Sequence, residues 1–176
     1  KIVDQNGKEV PVGIDGELVS KGPGVFTGYF KSPERDKTFT SDGFFRTGDQ
    51  ARLDADGNIW ITGRIKDIII RGGENISAVE IESLMSEHPA ILDSAVVGMP
   101  DKMLGERICA YVVPKPGTTP VLEDVVSFLK GKGASMLQLP ERIEIIDELP
   151  MTKAVKVDKK ALREDIKKKL EKEGKI

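Results

Sequence analysis

The stretch "GFFRTGDQ" holds the first residue whose type and position could do chemistry. Asp49 follows a Thr-Gly pair at the end of an aromatic strand pattern. A carboxylate held rigidly at such a place can point into a cleft and accept hydrogen bonds through its two oxygens. An aspartate with only a structural role in a turn fits the same spacing. The spacing by itself leaves both interpretations open.

A second candidate is the stretch "GRIKDIIIRGGENIS". Arg64, Lys66 and Asp67 form a charged cluster, and the pair Gly72 and Gly73 follows an isoleucine-rich run. Paired glycines allow backbone angles that other residues avoid, and they let a ligand or another chain approach closely. A tight strand-to-loop turn would use them as well. Both interpretations are again compatible with the residues.

The stretch "ELPMTKAVKVDKKALR" contains five basic residues within a few steps of one another. They are Lys153, Lys156, Lys159, Lys160 and Arg163. Such a run usually marks a solvated helix face. Lys156, however, lies between a Pro-Met-Thr turn and the last predicted helix, so we place it on a loop. A loop lysine can be aimed at a phosphate or a carboxylate as a mobile point charge.

Composition and motif searches exclude several classes of function. The 176 residues carry 27 basic and 29 acidic side chains, and the net charge of −2 gives no basis for binding nucleic acid or an anionic membrane as a whole molecule. With one cysteine and one histidine, the chain cannot assemble a Cys/His zinc cluster. The sequence also contains no Walker-type phosphate loop, no GxGxxG fingerprint and no GxSxG elbow.

Two isolated residues and the chain start give further expectations. Cys109, in the apolar run "RICAYVV", is interpreted as a buried structural thiol, consistent with a reducing cytoplasm. His88 precedes Pro89 at a predicted helix end and is interpreted as a capping or surface residue. We expect no membrane insertion, because no run approaches 18 apolar residues. Without an initiator Met, residue 1 is expected to lie within a longer protein, as a processed chain or an excised fragment.

The pattern of apolar residues predicts an α+β fold in two parts. Residues 1–65 are predicted to be short strands and turns, with "DADGN" as a hairpin turn, and to be the β-rich end of a larger N-terminal domain. Residues 66–176 are predicted to form a small domain in the order α-β-β-α-β-α, with a three-stranded sheet and flanking helices. Ser77 and Glu80 form the capping box that begins its first helix.

In their order and separation, four stretches resemble motifs of the adenylate-forming superfamily, which comprises acyl- and aryl-CoA synthetases, luciferases and peptide-synthetase adenylation domains. They are "GELVSKGPGVFTGYFKSPE", "DGFFRTGD", "GRIKDIIIRGGENISAVEIE" and "ELPMTKAVKVDKKALR". The resemblance covers essentially the whole chain and identifies it with the C-terminal portion of the family. It implies a ligase that uses ATP and Mg²⁺ to convert a carboxylic acid to an acyl-AMP, and then transfers the acyl group to a thiol, usually that of CoA.

The resemblance implies a role for each residue of the nucleotide site and the hinge. Asp49 would accept hydrogen bonds from the ribose hydroxyls of ATP, and Arg64 would also contact the nucleotide. Lys66 would be the hinge at which the mobile C-terminal domain begins. In the family this domain rotates between the two half-reactions, so that one site serves both.

The resemblance also implies roles for the glycine pair and the loop lysine. Gly72 and Gly73 would lie on the loop that approaches the pantetheine arm of CoA. Lys156 would be the catalytic lysine that bridges the substrate carboxylate and the α-phosphate. The family has glycine immediately before this lysine, whereas this chain has Val155, and a β-branched residue does not easily take a positive φ. If that freedom is needed, Lys156 is mispositioned and Lys153 is the alternative.

Three functions therefore remain open from the sequence. An acyl-CoA synthetase is the first, an aryl-acid AMP ligase that loads a carrier protein is the second, and a non-catalytic binding module is the third. Retention of Asp49, Arg64 and Lys156 together favours catalysis over simple binding. The family's large N-terminal domain, with its phosphate loop and acyl pocket, is missing from these residues, so we expect this chain alone to be inactive.

Overall fold

The computed structural model describes residues 1–28 and 38–176. Part of the first family-like motif, at residues 29–34, therefore lies outside the described residues. By its internal contacts the chain divides into two compact units, Lys1–Lys66 and Asp67–Ile176, which we call the N-terminal and C-terminal units. Within the described ranges, no helix is long and apolar enough to cross a membrane.

Strands dominate the described part of the N-terminal unit, whereas the C-terminal unit combines strands with helices. The strands are β1 (Ile2–Val3), β2 (Gly16–Ser20), β3 (Phe45–Leu53), β4 (Ile59–Arg64), β5 (Ile68–Arg71), β6 (Glu74–Ser77), β7 (Ile91–Asp101), β8 (Gly105–Pro114) and β9 (Arg142–Ile145). The α-helices named for the described residues are α1 (Ala78–Met85), α2 (Leu122–Gly131) and α3 (Lys159–Lys172). Short 3-10 turns lie at Ile65–Asp67 and Met136–Gln138.

The N-terminal unit is built on an antiparallel sheet in the order β1-β2-β3-β4. β3 and β4 form the predicted hairpin, with the "DADGN" stretch as its turn. Asp54 organises this turn, because its carboxylate accepts hydrogen bonds from the Asn58 backbone N–H at 2.8 Å and from Trp60 Nε1 at 2.9 Å. The hairpin register places Asp49 opposite Arg64.

The C-terminal unit contains a sheet in the order β6-β5-β8-β7, with β9 also paired to β8. β7 runs antiparallel along β8 on one side, while β9, parallel to β8, and β5 share its other side. The predicted α+β class is confirmed, and the three predicted strands are β7, β8 and β9. The sheet has two further strands, because the isoleucine run before Gly72 pairs with residues 74–77 as a β5–β6 hairpin.

Helices cover both faces of this sheet. α1 and α2 pack on one face, and α3 packs on the other. The side chains of β8 alternate between the two faces, with Ile108, Ala110 and Val112 on the first and Cys109, Tyr111 and Val113 on the second. Burial raises the pKa of the Cys109 thiol to about 12. The thiol therefore stays protonated and unreactive, which confirms its interpretation as a structural residue.

Helices α1 and α3 both begin at side chains that cap them. Ser77 Oγ accepts a hydrogen bond from the Glu80 backbone N–H at 3.3 Å, which confirms the predicted start of α1. Asp158 Oδ1 accepts one from the Ala161 N–H at 3.1 Å and caps α3. A carboxylate at this end also complements the helix dipole. Because Asp158 follows the loop that bears Lys156, the cap fixes where that loop ends.

The interpretation of His88 as a capping or surface residue is wrong, because the side chain is buried and the residue that caps the end of α1 is Ser86. The side chain is only 6% exposed, because the ring of Phe128 on α2 packs edge-on against the imidazole with 4.7 Å between ring centroids. His88 Nδ1 accepts a hydrogen bond from the Ala90 backbone N–H at 3.2 Å. Burial lowers the pKa of His88 below its ordinary value of 6.5; Asp124 opposes this shift and Lys115 adds to it.

The lowered pKa of His88 predicts how stability depends on pH. The folded state favours the neutral imidazole of His88. The stability that this preference contributes is fully present above pH 6.5 and is lost as the pH falls below that value. Between pH 7 and pH 5, the free energy of unfolding of the wild-type chain should fall more steeply than that of His88→Asn, which keeps a hydrogen-bond acceptor without the titration. Urea unfolding across this range measures both slopes, and parallel slopes would contradict the prediction.

Candidate functional site

Asp49 and Arg64 are brought together by the β3–β4 hairpin. The two residues are register partners, and Arg64 Nε lies 2.7 Å from Asp49 Oδ1. The Asp49 side chain is 26% exposed and that of Arg64 is 48% exposed, so the pair lies at the surface of the N-terminal unit. Such a pair presents a carboxylate and a guanidinium in one fixed arrangement, which suits a ligand that offers hydroxyls and a negative charge.

Thr47 fixes the backbone that carries Asp49. Its hydroxyl accepts a hydrogen bond from the Asp49 N–H at 3.0 Å and donates one to the Leu18 carbonyl of β2 at 2.7 Å. The aspartate is therefore held between two strands as well as by Arg64. The Thr-Gly-Asp order in the sequence is the signal that could have revealed this role, since Thr hydroxyls often bond to the backbone two residues on.

Gly72 and Gly73 form the two-residue turn of the β5–β6 hairpin. Their φ angles are +60° and +90°, and two successive positive angles are typical of the type I′ hairpin turn. The Gly72 N–H donates a hydrogen bond to the Leu104 carbonyl at 2.8 Å. A Cβ at Gly73 would meet no atom within 4 Å in the described residues. The backbone angles thus explain the glycines, and the open space above Gly73 leaves room for a ligand.

Lys156 is exposed on a closed turn immediately before α3. The Thr152 N–H donates to the Lys156 carbonyl at 2.7 Å, and the Val155 N–H donates to the Thr152 carbonyl at 3.0 Å. The Lys156 N–H in turn lies 3.3 Å from Thr152 Oγ1. These bonds are typical of a type I turn followed by a bulge residue in the left-handed conformation. Lys153 lies exposed in the same turn.

Val155 occupies the bulge position, where glycine is the usual residue. Its φ is +55°, the only positive φ of a non-glycine residue in the described ranges, and it is 79% exposed. The valine thus adopts the conformation that a glycine would take, at a cost of about 1–2 kcal/mol. This chain therefore differs from the family pattern in the residue type at position 155, but the φ angle of Val155 lies in the region that favours glycine.

Sequence reasoning missed the partner of Lys159, which it placed on a solvated helix face. Lys159 Nζ lies 2.7 Å from Glu82 Oε1 on α1, and its side chain is only 14% exposed. Lys159 is therefore not a solvated lysine. No local signal could reveal this contact, because the two residues are far apart in the sequence and meet only in the folded unit.

The predicted site residues fall into separate structural groups. Asp49 and Arg64 belong to the N-terminal unit, which ends at Lys66 in a 3-10 turn. The glycine turn and the Lys156 turn are separate loops of the C-terminal unit. In residues 1–28 and 38–176, no group of three or more His, Cys, Asp or Glu side chains is arranged to hold a metal ion.

Comparisons with known proteins place this geometry in a family. A family model described as the AMP-binding enzyme C-terminal domain matches residues 80–156. The medium-chain fatty-acid–CoA ligase of Escherichia coli (strain K12) is 47% identical over 97% of this chain and 30% of its own length. The 2,3-dihydroxybenzoate-AMP ligase of Bacillus subtilis (strain 168) is 42% identical over 97% of this chain and 32% of its own length.

The chain belongs to the adenylate-forming, AMP-binding enzymes. A crystal structure of ATP-bound MatB from Rhodopseudomonas palustris superposes with a TM-score of 0.85 at 39% identity, over 94% of this chain and 33% of that one. The chain thus spans about a third of the length of the relatives that it matches. The resemblance of its motifs to the C-terminal portion of this superfamily is confirmed.

Val155 gives a stability prediction for this adenylate-forming family member. Val155→Gly should raise the free energy of unfolding by about 1 kcal/mol, because the strain of a left-handed valine exceeds the entropy that glycine adds to the unfolded chain. Val79→Gly, at an exposed valine inside α1, should instead lower it by about 0.5–1 kcal/mol. Urea unfolding of both variants measures the difference, and a destabilised Val155→Gly variant would show that the turn does not strain the valine.

Proposed function

We propose that this chain is the C-terminal portion of an ATP-dependent acid–thiol ligase, an acyl-CoA synthetase in the first instance. The Lys156 turn carries the proposal: it presents an exposed lysine on a closed loop, and Val155, which stands where the family has glycine, adopts a positive φ that favours glycine. The similarity to fatty-acid–CoA and aryl-acid–AMP ligases over 97% of the chain supports it.

Lys156 would serve the first half-reaction, in which an acyl-AMP forms. A carboxylate oxygen of the substrate attacks the α-phosphorus of ATP, the bond from that phosphorus to the bridging oxygen breaks, and pyrophosphate leaves. Both reactants are anions, so their approach is opposed by charge. The Lys156 ammonium would lie between the carboxylate and the α-phosphate and stabilise the negative charge that develops there. When present, Mg²⁺ would neutralise part of the charge on the phosphates.

Asp49 and Arg64 would hold the nucleotide during this step. The Asp49 carboxylate has two oxygens that accept hydrogen bonds, and we assign it to the two ribose hydroxyls. The ion pair with Arg64, at 2.7 Å, orients this carboxylate, and the hydrogen bond from the Asp49 N–H to the Thr47 hydroxyl holds the backbone that carries it. A site that is preorganised in this way loses little freedom when it binds its ligand.

The Gly72–Gly73 turn would serve the second half-reaction. The thiol sulfur attacks the acyl carbon, the thiol proton is lost, and AMP leaves. The open space above Gly73 suits the close approach of a pantetheine arm, which both CoA and a carrier protein present. The turn therefore supports either acceptor, and loading of a carrier protein by an aryl-acid ligase stays the second candidate function.

Lys156→Ala tests the proposed catalytic role in the longer protein recovered from the reading frame upstream of Lys1. Loss of the cation should slow pyrophosphate release by about 10²–10³-fold, because a contact to developing charge is removed. Lys153→Ala, in the same exposed turn, should retain nearly full activity. The assay uses ATP with a panel of fatty and aryl acids, with and without CoA. If Lys153→Ala is the inactive variant, Lys153 is the catalytic residue.

Lys66→Pro tests the proposed hinge in the same longer protein. Proline restricts φ in the 3-10 turn Ile65–Asp67, so it should slow thioester formation far more than acyl-AMP formation. Lys66→Ala keeps the backbone freedom and should leave the ratio of the two rates within about threefold of wild type. Single-turnover measurements separate the two half-reactions. Equal slowing of both by proline would reject a hinge at this residue.

A further inference from the structure

The first residue of α3 is held by an ion pair that none of the proposed steps uses. Lys159 Nζ lies 2.7 Å from Glu82 Oε1, and the two side chains are 14% and 20% exposed. Lys159 follows the cap residue Asp158 and comes three positions after Lys156. The pair is thus a partly desolvated contact between the start of α3 and helix α1, next to the Lys156 turn.

Glu82 is itself fixed by the sheet. The same Oε1 atom accepts a hydrogen bond from the Val96 N–H of β7 at 2.6 Å, and Val96 is fully buried. If the Glu82 side chain moved away, it would leave this buried N–H without its acceptor, which is unfavourable for a backbone donor. Glu82 is therefore a rigid partner, so Lys159 is attached to both α1 and β7.

The Lys156 turn needs support from outside itself. Its left-handed valine is strained, and strained backbone persists only where the surrounding structure holds it. On the preceding side, the Asp158 N–H donates to the Pro150 carbonyl at 2.7 Å and closes the base of the turn. On the following side, the turn leads directly into Asp158 and Lys159. A displaced Lys159 would carry the Asp158 cap with it and open this base.

We propose that the Glu82–Lys159 ion pair positions Lys156, by holding the start of α3 against α1 and β7 so that the Lys156 turn stays closed. Glu82 and Lys159 act through the turn and do not contact substrate. The inference rests on the proposed catalytic role of Lys156, but the closure of the turn can be measured without any activity.

Amide hydrogen exchange of the 176-residue chain, followed by NMR, measures that closure. The reporters are the N–H groups of Thr152 and Val155, which donate to carbonyls within the turn. Relative to the amides of β8, Lys159→Met and Glu82→Gln should speed their exchange by about tenfold, as a local opening would. Lys159→Arg retains the cation and should stay within about twofold of wild type.

Lys169→Met is the matched control on the same helix. Lys169 Nζ lies 2.6 Å from Glu144 Oε2, so this variant also breaks an ion pair of α3, but at the end remote from the turn. It should leave exchange at Thr152 and Val155 within about twofold of wild type. The inference is overturned if Lys159→Met and Glu82→Gln leave the turn unchanged, or if Lys169→Met opens it equally.

Kinetics of the longer protein separate this inference from the proposed function. Lys159→Met should lower kcat for pyrophosphate release by about tenfold with little change in KM for ATP. Lys159→Arg should keep kcat near the wild-type value. If Lys156→Ala is inactive while Lys159→Met is fully active, only the positioning role is rejected. If Lys156→Ala is fully active, the catalytic assignment fails, and the positioning role fails with it even where exchange shows that the turn has opened.

Discussion

Burial of β8 on both faces is the constraint on which the rest of the C-terminal unit depends. Alternate side chains of this strand enter two separate apolar clusters, one beneath α1 and α2 and the other beneath α3. The side chains buried in these two clusters limit how far each helix can shift, because close-packed interiors resist even small changes of volume. The loops that join these elements therefore begin and end at fixed positions. The Lys156 turn leads into α3, and the Gly72 turn contacts the β7–β8 turn through Leu104.

The two units hold their proposed site residues in place by different interactions. In the N-terminal unit, Asp49 obtains its position from strand pairing, a neighbouring hydroxyl and an ion pair. In the C-terminal unit, Lys156 lies on a turn that keeps a strained valine in place. A contact with a distant part of the chain, such as the ion pair between Glu82 and Lys159, helps to hold such a turn. Without it, the local hydrogen bonds alone must oppose the backbone strain of the valine.

The sequence predicted those parts of the fold that depend on neighbouring residues. The hairpin turn at Asp54 and the start of α1 at Ser77 follow from local patterns, and both are present. The β5–β6 hairpin was missed, because its isoleucine run has no alternation and its Gly-Gly turn was also compatible with a loop. The burial of His88 and the partner of Lys159 depend on residues distant in sequence, which no periodicity encodes. The site residues came from motif resemblance, and their roles stay proposals.

The chemistry of Cys109 has a practical consequence. It is the only cysteine in the chain, and burial within the sheet keeps its thiol protonated at neutral pH. Maleimides and similar probes react with exposed thiolates, so they should leave this residue unmodified in the folded chain. A cysteine introduced on the surface would then be the sole labelled position, without any background substitution. Pairs of such labels on the two units could report distances between them by fluorescence energy transfer while the native core stays intact.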